Sequence, residues 1–295
     1  GIVGESGSGK SMSVMASMGI VPSPGRVSAG AVHLNGKNIT RMSESELEKV
    51  RGQEIAMIFQ EPIASLNPAL TVGQQLIQPI QKHLGMSRQE AWDRATDLLR
   101  QVQIPEPERR MNEYPHQFSG GMAQRVGIAR ALSCDPQVLI ADEPTTALDV
   151  TVQGQIIDLL KDLQKDLGLA IVFITHDLGV IAEVADRIAV MYAGEVIETG
   201  DVHNVLTAPR HPYTKALLET LPHHGVEGER LPVIDGLVPP PSDWPSGCRF
   251  HPRCQFAKHA CSNGADTRLK PVITSKADQR GHFSACIRVE EIDFA

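Results

Sequence analysis

Residues 4–11 read Gly4-Glu5-Ser6-Gly7-Ser8-Gly9-Lys10-Ser11, and this octapeptide satisfies every fixed position of G-x-x-x-x-G-K-[ST] directly after the apolar pair Ile2-Val3. Small residues let backbone N–H groups turn inward around phosphate oxygens, and a helix starting at the end of the loop adds its positive dipole end. Lys10 is then placed to reach the β- and γ-phosphates, and the Ser11 hydroxyl to bind Mg²⁺. The plainer reading is a flexible Gly/Ser turn. It needs a chance match on the order of one in a hundred for a chain of ordinary glycine content.

Nucleotide hydrolysis needs a second, acidic strand, and Val138-Leu139-Ile140-Ala141-Asp142-Glu143 supplies one. Asp142 is the candidate Mg²⁺ holder, directly or through water, and Glu143 the group that polarises the attacking water. Taken alone, a solvated acidic strand end is the better reading of these two carboxylates; beside residues 4–11 the functional one prevails. Residues 170–175 (AIVFIT) form another continuously apolar run, as parallel strands covered on both faces do. Between the two runs, Ile156, Leu159, Leu160, Leu163 and Leu167 fall on one helical face, and Gly168 is placed as its C-cap. Residues 55–59 (IAMIF) read as a short strand, Asn35-Gly36 as a hairpin turn, and residues 187–200 as a second hairpin. From about residue 61 to Cys134 strand signals vanish, and Ala91, Ala95, Leu98, Leu99 and Val102 keep helical spacing. The pattern predicts a doubly wound α/β core carrying a helical insertion.

Within that insertion Ser119-Gly120-Gly121-Met122 resembles a second exposed helix N-terminus, with Ser119 as N-cap. An ordinary capped helix is the competing reading. Two phosphate-facing loops in one chain have a natural explanation if two chains meet head to tail, each closing the other's site.

Composition narrows the function classes. The 295 residues suggest about two domains. With 41% hydrophobic and 21% charged residues the chain is of ordinary globular type. A net charge of −7, from 28 basic and 35 acidic residues, argues against a general nucleic-acid binder. No apolar run reaches the roughly 18 residues of a membrane span, so a membrane role is expected to come through partners. Gly1 stands inside a strand-like segment, which reads as a truncated N-terminus. No internal repeat is visible.

Four of the five cysteines, Cys248, Cys254, Cys261 and Cys286, lie near the C-terminus with the spacing Cys-x5-Cys-x6-Cys-x24-Cys. They follow a connector rich in proline (Pro232, Pro239, Pro240, Pro241, Pro245). A polar tail of this size buries little core, so a structural metal is a reasonable staple. Zinc ligands usually come as C-x₂₋₄-C, and these gaps are longer. Free or disulfide-bonded thiols are the third possibility, and His251, His259 and His282 are nearby alternatives as ligands. Cys134, far upstream, is expected to be a buried structural thiol.

In order and type, these motifs resemble those of the ATP-binding subunits of ABC transporters. Residues 4–11 match Walker A, Gln60 the Q-loop, Phe118-Ser119-Gly120-Gly121-Met122 the signature, and Asp142-Glu143 the end of Walker B. Ala147-Leu148-Asp149 matches the D-loop, and His176, in Ile174-Thr175-His176-Asp177, the switch histidine. The signature departs from LSGGQ, with Gln displaced to Gln124, a variation that resembles the peptide/nickel importer subfamily. His211-Pro212-Tyr213-Thr214 and the segment running from Gly247 to Cys254 (GCRFHPRC) resemble the C-terminal extension of dipeptide, oligopeptide and nickel importer ATPases.

The resemblance implies a P-loop NTPase core of the ABC type (residues 1–60 and 136–200), a helical signature subdomain (61–135) and a Cys-rich C-terminal extension (201–295). It implies catalysis by Glu143 and His176, with nucleotide held by residues 4–11 and Gln60. Mg²⁺ would lie at Ser11, Gln60 and Asp142, the partner's ATP at Ser119, Gly120, Gly121 and Met122, and Asp149 at the dimer interface. It also implies a [4Fe–4S] cluster on the four C-terminal cysteines, zinc being the alternative. The expected activity is ATP hydrolysis powering import of di- or oligopeptides or a related small solute. Expected partners are a second ATPase subunit (a paralogue), two transmembrane permease subunits and an extracytoplasmic solute-binding protein, with the chain at the cytoplasmic face of the cell membrane. Family members stack adenine on an aromatic residue upstream of Walker A, and none stands before Gly4. The alternative is a non-transport ABC ATPase acting on nucleic acid or ribosomes.

Overall fold

Apolar runs become strands and 3.6-period runs become helices, as their patterns dictate. A computed structural model of the chain describes residues 1–146, 148–221, 232–272 and 281–294. The strands in chain order are β1 (Ile2–Val3), β2 (His33–Leu34), β3 (Lys37–Asn38), β4 (Ile55–Ile58), β5 (Val138–Asp142), β6 (Ala170–Ile174), β7 (Arg187–Tyr192), β8 (Glu195–Asp201), β9 (Lys270–Pro271) and β10 (Phe283–Ser284). The first helices are α1 (Lys10–Ser17), α2 (Glu44–Val50), α3 (Val72–Leu84), α4 (Arg88–Gln101), α5 (Pro107–Arg110) and α6 (Gly120–Leu132). They are followed by α7 (Val150–Leu167), α8 (Leu178–Val184), α9 (Val202–Thr207), α10 (Pro212–Glu219) and α11 (His259–Ser262). Packing separates two units: residues 1–10 with 175–295, and residues 11–174.

In the unit of residues 11–174, β4, β5 and β6 pair in parallel, with Ile55 opposite Val138 and Asp142 opposite Ile174. All four residues of β4 are buried, and Leu139, Ile140 and Ala141 of β5 are at most 2% exposed, as a two-sided strand requires. Helix α6 packs on β4 and against α3, α4 and α7. Thr71 and Ser87 cap α3 and α4, each accepting a bond from the backbone N–H three residues on. Leu76, Ile80, Leu99 and Ile128 are essentially inaccessible, and burying side chains of this kind is worth about 1.5–3 kcal/mol each. The helical texture read between residues 61 and 134 is therefore α3 to α6. Asn35 and Gly36 both take positive φ (50° and 77°) between β2 and β3, the geometry of a two-residue hairpin. Helix α7 ends at Gly168 with φ 65°, as its sequence predicts.

In the unit of residues 1–10 and 175–295, β1 pairs in parallel with β7, and β7 turns through Ala193-Gly194 into antiparallel β8. Strand β10 adds to β8, with Phe283 opposite Thr199, and β9 adds to β10. The tail extends a sheet edge and buries Phe250, Ile292 and Phe294. A buried pair reinforces the edge. His282 Nε2 lies 2.7 Å from Glu198 Oε1, which also accepts the Arg210 N–H at 2.6 Å. His282 is thus engaged in packing rather than held ready for a metal.

Candidate nucleotide site

In residues 4–10 the chain must pass close to β7. A Cβ at Gly4 (φ 152°) would come within 2.2 Å of the Met191 carbonyl oxygen, so only glycine fits. The loop is closed by Ser8 N–H donating to Glu5 O at 3.2 Å and by Gly194 N–H donating to Ser8 O at 2.8 Å. Lys10, 5% exposed, donates from its ammonium to Gly4 O (2.8 Å) and Glu5 O (3.2 Å), holding two carbonyls of the loop. Ser8 Oγ is buried without a hydrogen-bond partner among the described residues, an unmet capacity inside the loop. Tyr213 Oη accepts the Glu5 N–H at 2.8 Å. In the sequence Tyr213 stands out only as part of the resemblance of residues 211–214 to importer ATPases, with no sign of this contact.

In the unit of residues 11–174, Ser11 Oγ donates to Asp142 Oδ1 at 3.0 Å, and Asp142, at the end of β5, is 2% exposed. Glu143 has φ 45°, a left-handed conformation that costs a residue with a side chain about 1–3 kcal/mol and concentrates at functional sites. Its N–H donates to Ile174 O (2.9 Å), and its Oε2 accepts from Gln60 Nε2 (3.0 Å) and Thr146 Oγ1 (2.9 Å). The structure therefore brings Ser11 to Asp142 and Gln60 to Glu143. Thr146, which positions the same carboxylate, carried no sequence signal beyond following Walker B.

Ser119 is exposed, caps α6 and accepts the Met122 N–H at 3.3 Å. A Cβ on Gly121 would meet Val152 Cγ1 at 2.7 Å, so this glycine lets the start of α6 lie against α7. Gln124 is 1% exposed and neither end of its amide has a partner among the described residues. It points inward and does not replace a glutamine at the exposed turn. Ala147 of the D-loop lies outside the described residues; Asp149 is the N-cap of α7, its Oδ1 accepting the Val152 N–H at 2.9 Å. Replacing Asp149 by Ala is expected to lower stability by about 1 kcal/mol, measured as a shift of the unfolding midpoint.

His176 is exposed at the entry to α8 and belongs, with residues 4–10, to the other unit. Its turn is fixed by Thr175 Oγ1, which accepts the Asp177 N–H (3.0 Å), and by Asp177 Oδ1, which caps α8.

Cys248, Cys254, Cys261 and Cys286 line one cavity of about 20 Å³, together with Phe250 and Ile292. The Cys248 N–H donates to Cys261 O at 2.8 Å, and all four thiols are unpaired by disulfides. Burial pushes the Cys248 thiol up to about 11 and the Cys286 thiol up to about 12, so both are neutral thiols near pH 7. The cavity gathers the four residues; yet no group of three His, Cys, Asp or Glu residues among those described stands in a ligand arrangement. Cys134 is 3% exposed and its thiol is pushed up by burial, the inert state expected of it.

Comparison with known proteins agrees with this geometry. The family described as ABC transporter matches residues 1–146, and the one described as Oligopeptide/dipeptide transporter, C-terminal region, matches residues 197–261. The chain is 54% identical to the dipeptide transport ATP-binding protein DppD of Escherichia coli (strain K12), over 95% of this chain and 84% of that protein. This chain belongs to the ABC transporter ATP-binding proteins. A putative peptide import ATP-binding protein of Brucella melitensis is 46% identical over 99% of the chain and 88% of its own length. Among solved structures, the dimeric ATP-binding cassette MJ0796, in a post-hydrolysis state bound to ADP and Pi, superposes with a TM-score of 0.59 at 35% identity. That match covers 68% of this chain and 84% of the cassette. CbiO1 of Clostridium perfringens, part of the transporter complex cbiONQ, gives 0.60 at 31% identity, over 70% and 78%. This ABC ATPase is accordingly an α/β P-loop protein and an ATP-hydrolysing subunit of a membrane transporter. No helix among its described residues is long and apolar enough to cross a membrane, and it works with membrane permease partners.

Proposed function

We propose that this ABC ATPase powers import of di- or oligopeptides, acting from the cytoplasmic face of the cell membrane. Two phosphate-facing devices, residues 4–11 and the exposed Ser119 turn, support a pair of chains sharing two ATP sites. The match of residues 197–261 to the oligopeptide/dipeptide transporter region supports the substrate class. The working segments are the ATP-binding core (1–60 and 136–200), the signature subdomain (61–135) and the extension (201–295). The second ATPase is a paralogue, and two permease subunits and an extracytoplasmic solute-binding protein complete the assembly.

Gly4, Glu5, Ser6, Gly7, Ser8, Gly9, Lys10 and Ser11 wrap the triphosphate, and Ser119, Gly120, Gly121 and Met122 close over the partner's nucleotide, with Asp149 beside that junction. Ser11, Gln60 and Asp142 would hold Mg²⁺, which when bound neutralises charge on the β- and γ-phosphates. The Ser11–Asp142 bond already orients these two oxygen ligands. Glu143 takes the proton of the attacking water, Gln60 and Thr146 hold its carboxylate, and His176 contacts the γ-phosphate. A groove of about 490 Å³ beside the Q-loop, lined by Met57, Phe59, Gln75, Pro79 and Arg130, offers the permease a place to feel movement of Gln60. Co-purification with two hydrophobic permease subunits and ATP-dependent dipeptide uptake in proteoliposomes is the expected result. ATPase activity stimulated by nucleic acid or ribosomes instead would favour the non-transport reading.

The four C-terminal cysteines are proposed to hold a [4Fe–4S] cluster, with zinc as the alternative. Four thiols around one largely apolar cavity suit either group as a donor set, and their loss of protons would accompany binding. A cavity of this volume holds about one water, so the side chains must rotate outward to seat it. Anaerobic purification is expected to yield about four iron and four sulfide per chain. Stoichiometric zinc would select the alternative, and neither metal would refute the site.

A further inference from the structure

The extension reaches the phosphate loop itself. Arg253, one residue before Cys254, makes a two-pronged ion pair with Glu5: Nη1 to Oε2 at 2.8 Å and Nη2 to Oε1 at 3.0 Å. Its side chain is only 6% exposed, against 29% for Glu5. From behind, the guanidinium is fixed by Asp235 O (2.7 Å) and Ile234 O (3.0 Å), and it lies 5.7 Å from the centre of the Tyr192 ring. Tyr213, which accepts the Glu5 N–H, packs 4.7 Å from Tyr192, and Phe250 of the cysteine cavity sets its ring edge-on to both. A second tie runs through Arg249, which donates to Ala193 O, pairs with Glu195 and stacks on Trp244; the adjoining Gly194 N–H holds Ser8 O.

Glu5 poses an electrostatic problem. It stands in a loop that must receive a polyanion, where an unneutralised carboxylate repels the phosphates. Arg253 cancels that charge. Tethered to two carbonyls with its fork spent on Glu5, it is not free to swing toward the ligand.

We propose that Arg253 is a positioning residue for nucleotide binding: it neutralises Glu5 and, with Tyr213, fixes the phosphate loop, so that the cysteine-bearing extension completes the ATP site of its own chain. The inference rests on residues 4–11 binding nucleotide, and the experiment separates the two. The full chain is titrated with MgADP, which cannot be hydrolysed, and unfolding midpoints are recorded alongside. Wild-type protein binds; if it does not, the nucleotide-site reading itself falls, and this inference with it. Arg253→Met is expected to raise Kd about tenfold or more, as loss of one partner of a desolvated charge pair does. Arg253→Lys, which keeps the cation, loses less. The deciding variant is Arg253→Met combined with Glu5→Gln, which removes both charges and is expected to return to within about threefold of wild type. Tyr213→Phe, which deletes a single hydroxyl and leaves the Glu5 N–H without that acceptor, raises Kd about threefold with only a small drop in the unfolding midpoint and serves if Arg253→Met does not fold. Wild-type affinity in Arg253→Met, or a loss equally large in the double variant, overturns the proposal. So does an unchanged Kd in Tyr213→Phe where Arg253→Met is unavailable.

Discussion

Glu143→Gln is expected to bind ATP with nearly wild-type affinity and to hydrolyse it about 10²–10⁴-fold more slowly, the usual worth of a positioned general base. The separation follows from what the substitution keeps. Glu143 Oε2 accepts bonds from Gln60 and Thr146, and an amide oxygen in the same place accepts them too. The backbone bond from Glu143 N–H to Ile174 O and the φ of 45° do not depend on the carboxylate. Removed is the proton acceptor that Gln60 and Thr146 hold in place. Asp142 is occupied by Ser11. Steady-state turnover and equilibrium ATP binding, measured on the same assembled transporter, check the prediction. Normal turnover would transfer the base role elsewhere, and lost binding would make Glu143 a ligand rather than a base.

The nucleotide motifs were legible because each is local. Residues 4–11 place their amides by backbone conformation alone, and β5 carries Asp142 and Glu143 at its end whatever surrounds it. The same locality gave the hairpin at Asn35-Gly36 and the C-cap at Gly168, where a single φ sign identifies the residue. Long-range pairings carried no such mark. Nothing in the spacing joins Arg253 to Glu5 across 248 positions, and residues 211–214 carry only a family resemblance that does not place the Tyr213 hydroxyl on the phosphate loop. The tail shows the same limit from another side. Its composition reads as a polar segment with little core; that β10 finds an open edge on β8 is a choice of strand partner, which composition does not encode. Gln124 reads as a displaced signature glutamine, and helical phase turns it inward instead.

The other large effect is expected at Lys10, and it acts on binding rather than on chemistry. In the loop the ammonium is nearly inaccessible and already bonded to Gly4 O and Glu5 O, so its desolvation is met before ATP arrives. A cation held this way is preorganised: the phosphates gain a nearby charge without having to order a flexible side chain. Lys10→Met keeps the aliphatic stem in its packing position and deletes only the charge. Truncating one member of a desolvated charge contact costs about 2–5 kcal/mol, which weakens ATP binding about 30-fold to several thousandfold. Two carbonyls also lose their donor, so some loss of fold stability accompanies the change. Competition between ATP and AMP distinguishes the two consequences. A charge effect at the β- and γ-phosphates penalises ATP far more than AMP, which carries neither, whereas a collapsed loop weakens both alike. Equal losses for ATP and AMP would therefore make Lys10 a brace for the loop and deny it a role toward the terminal phosphates.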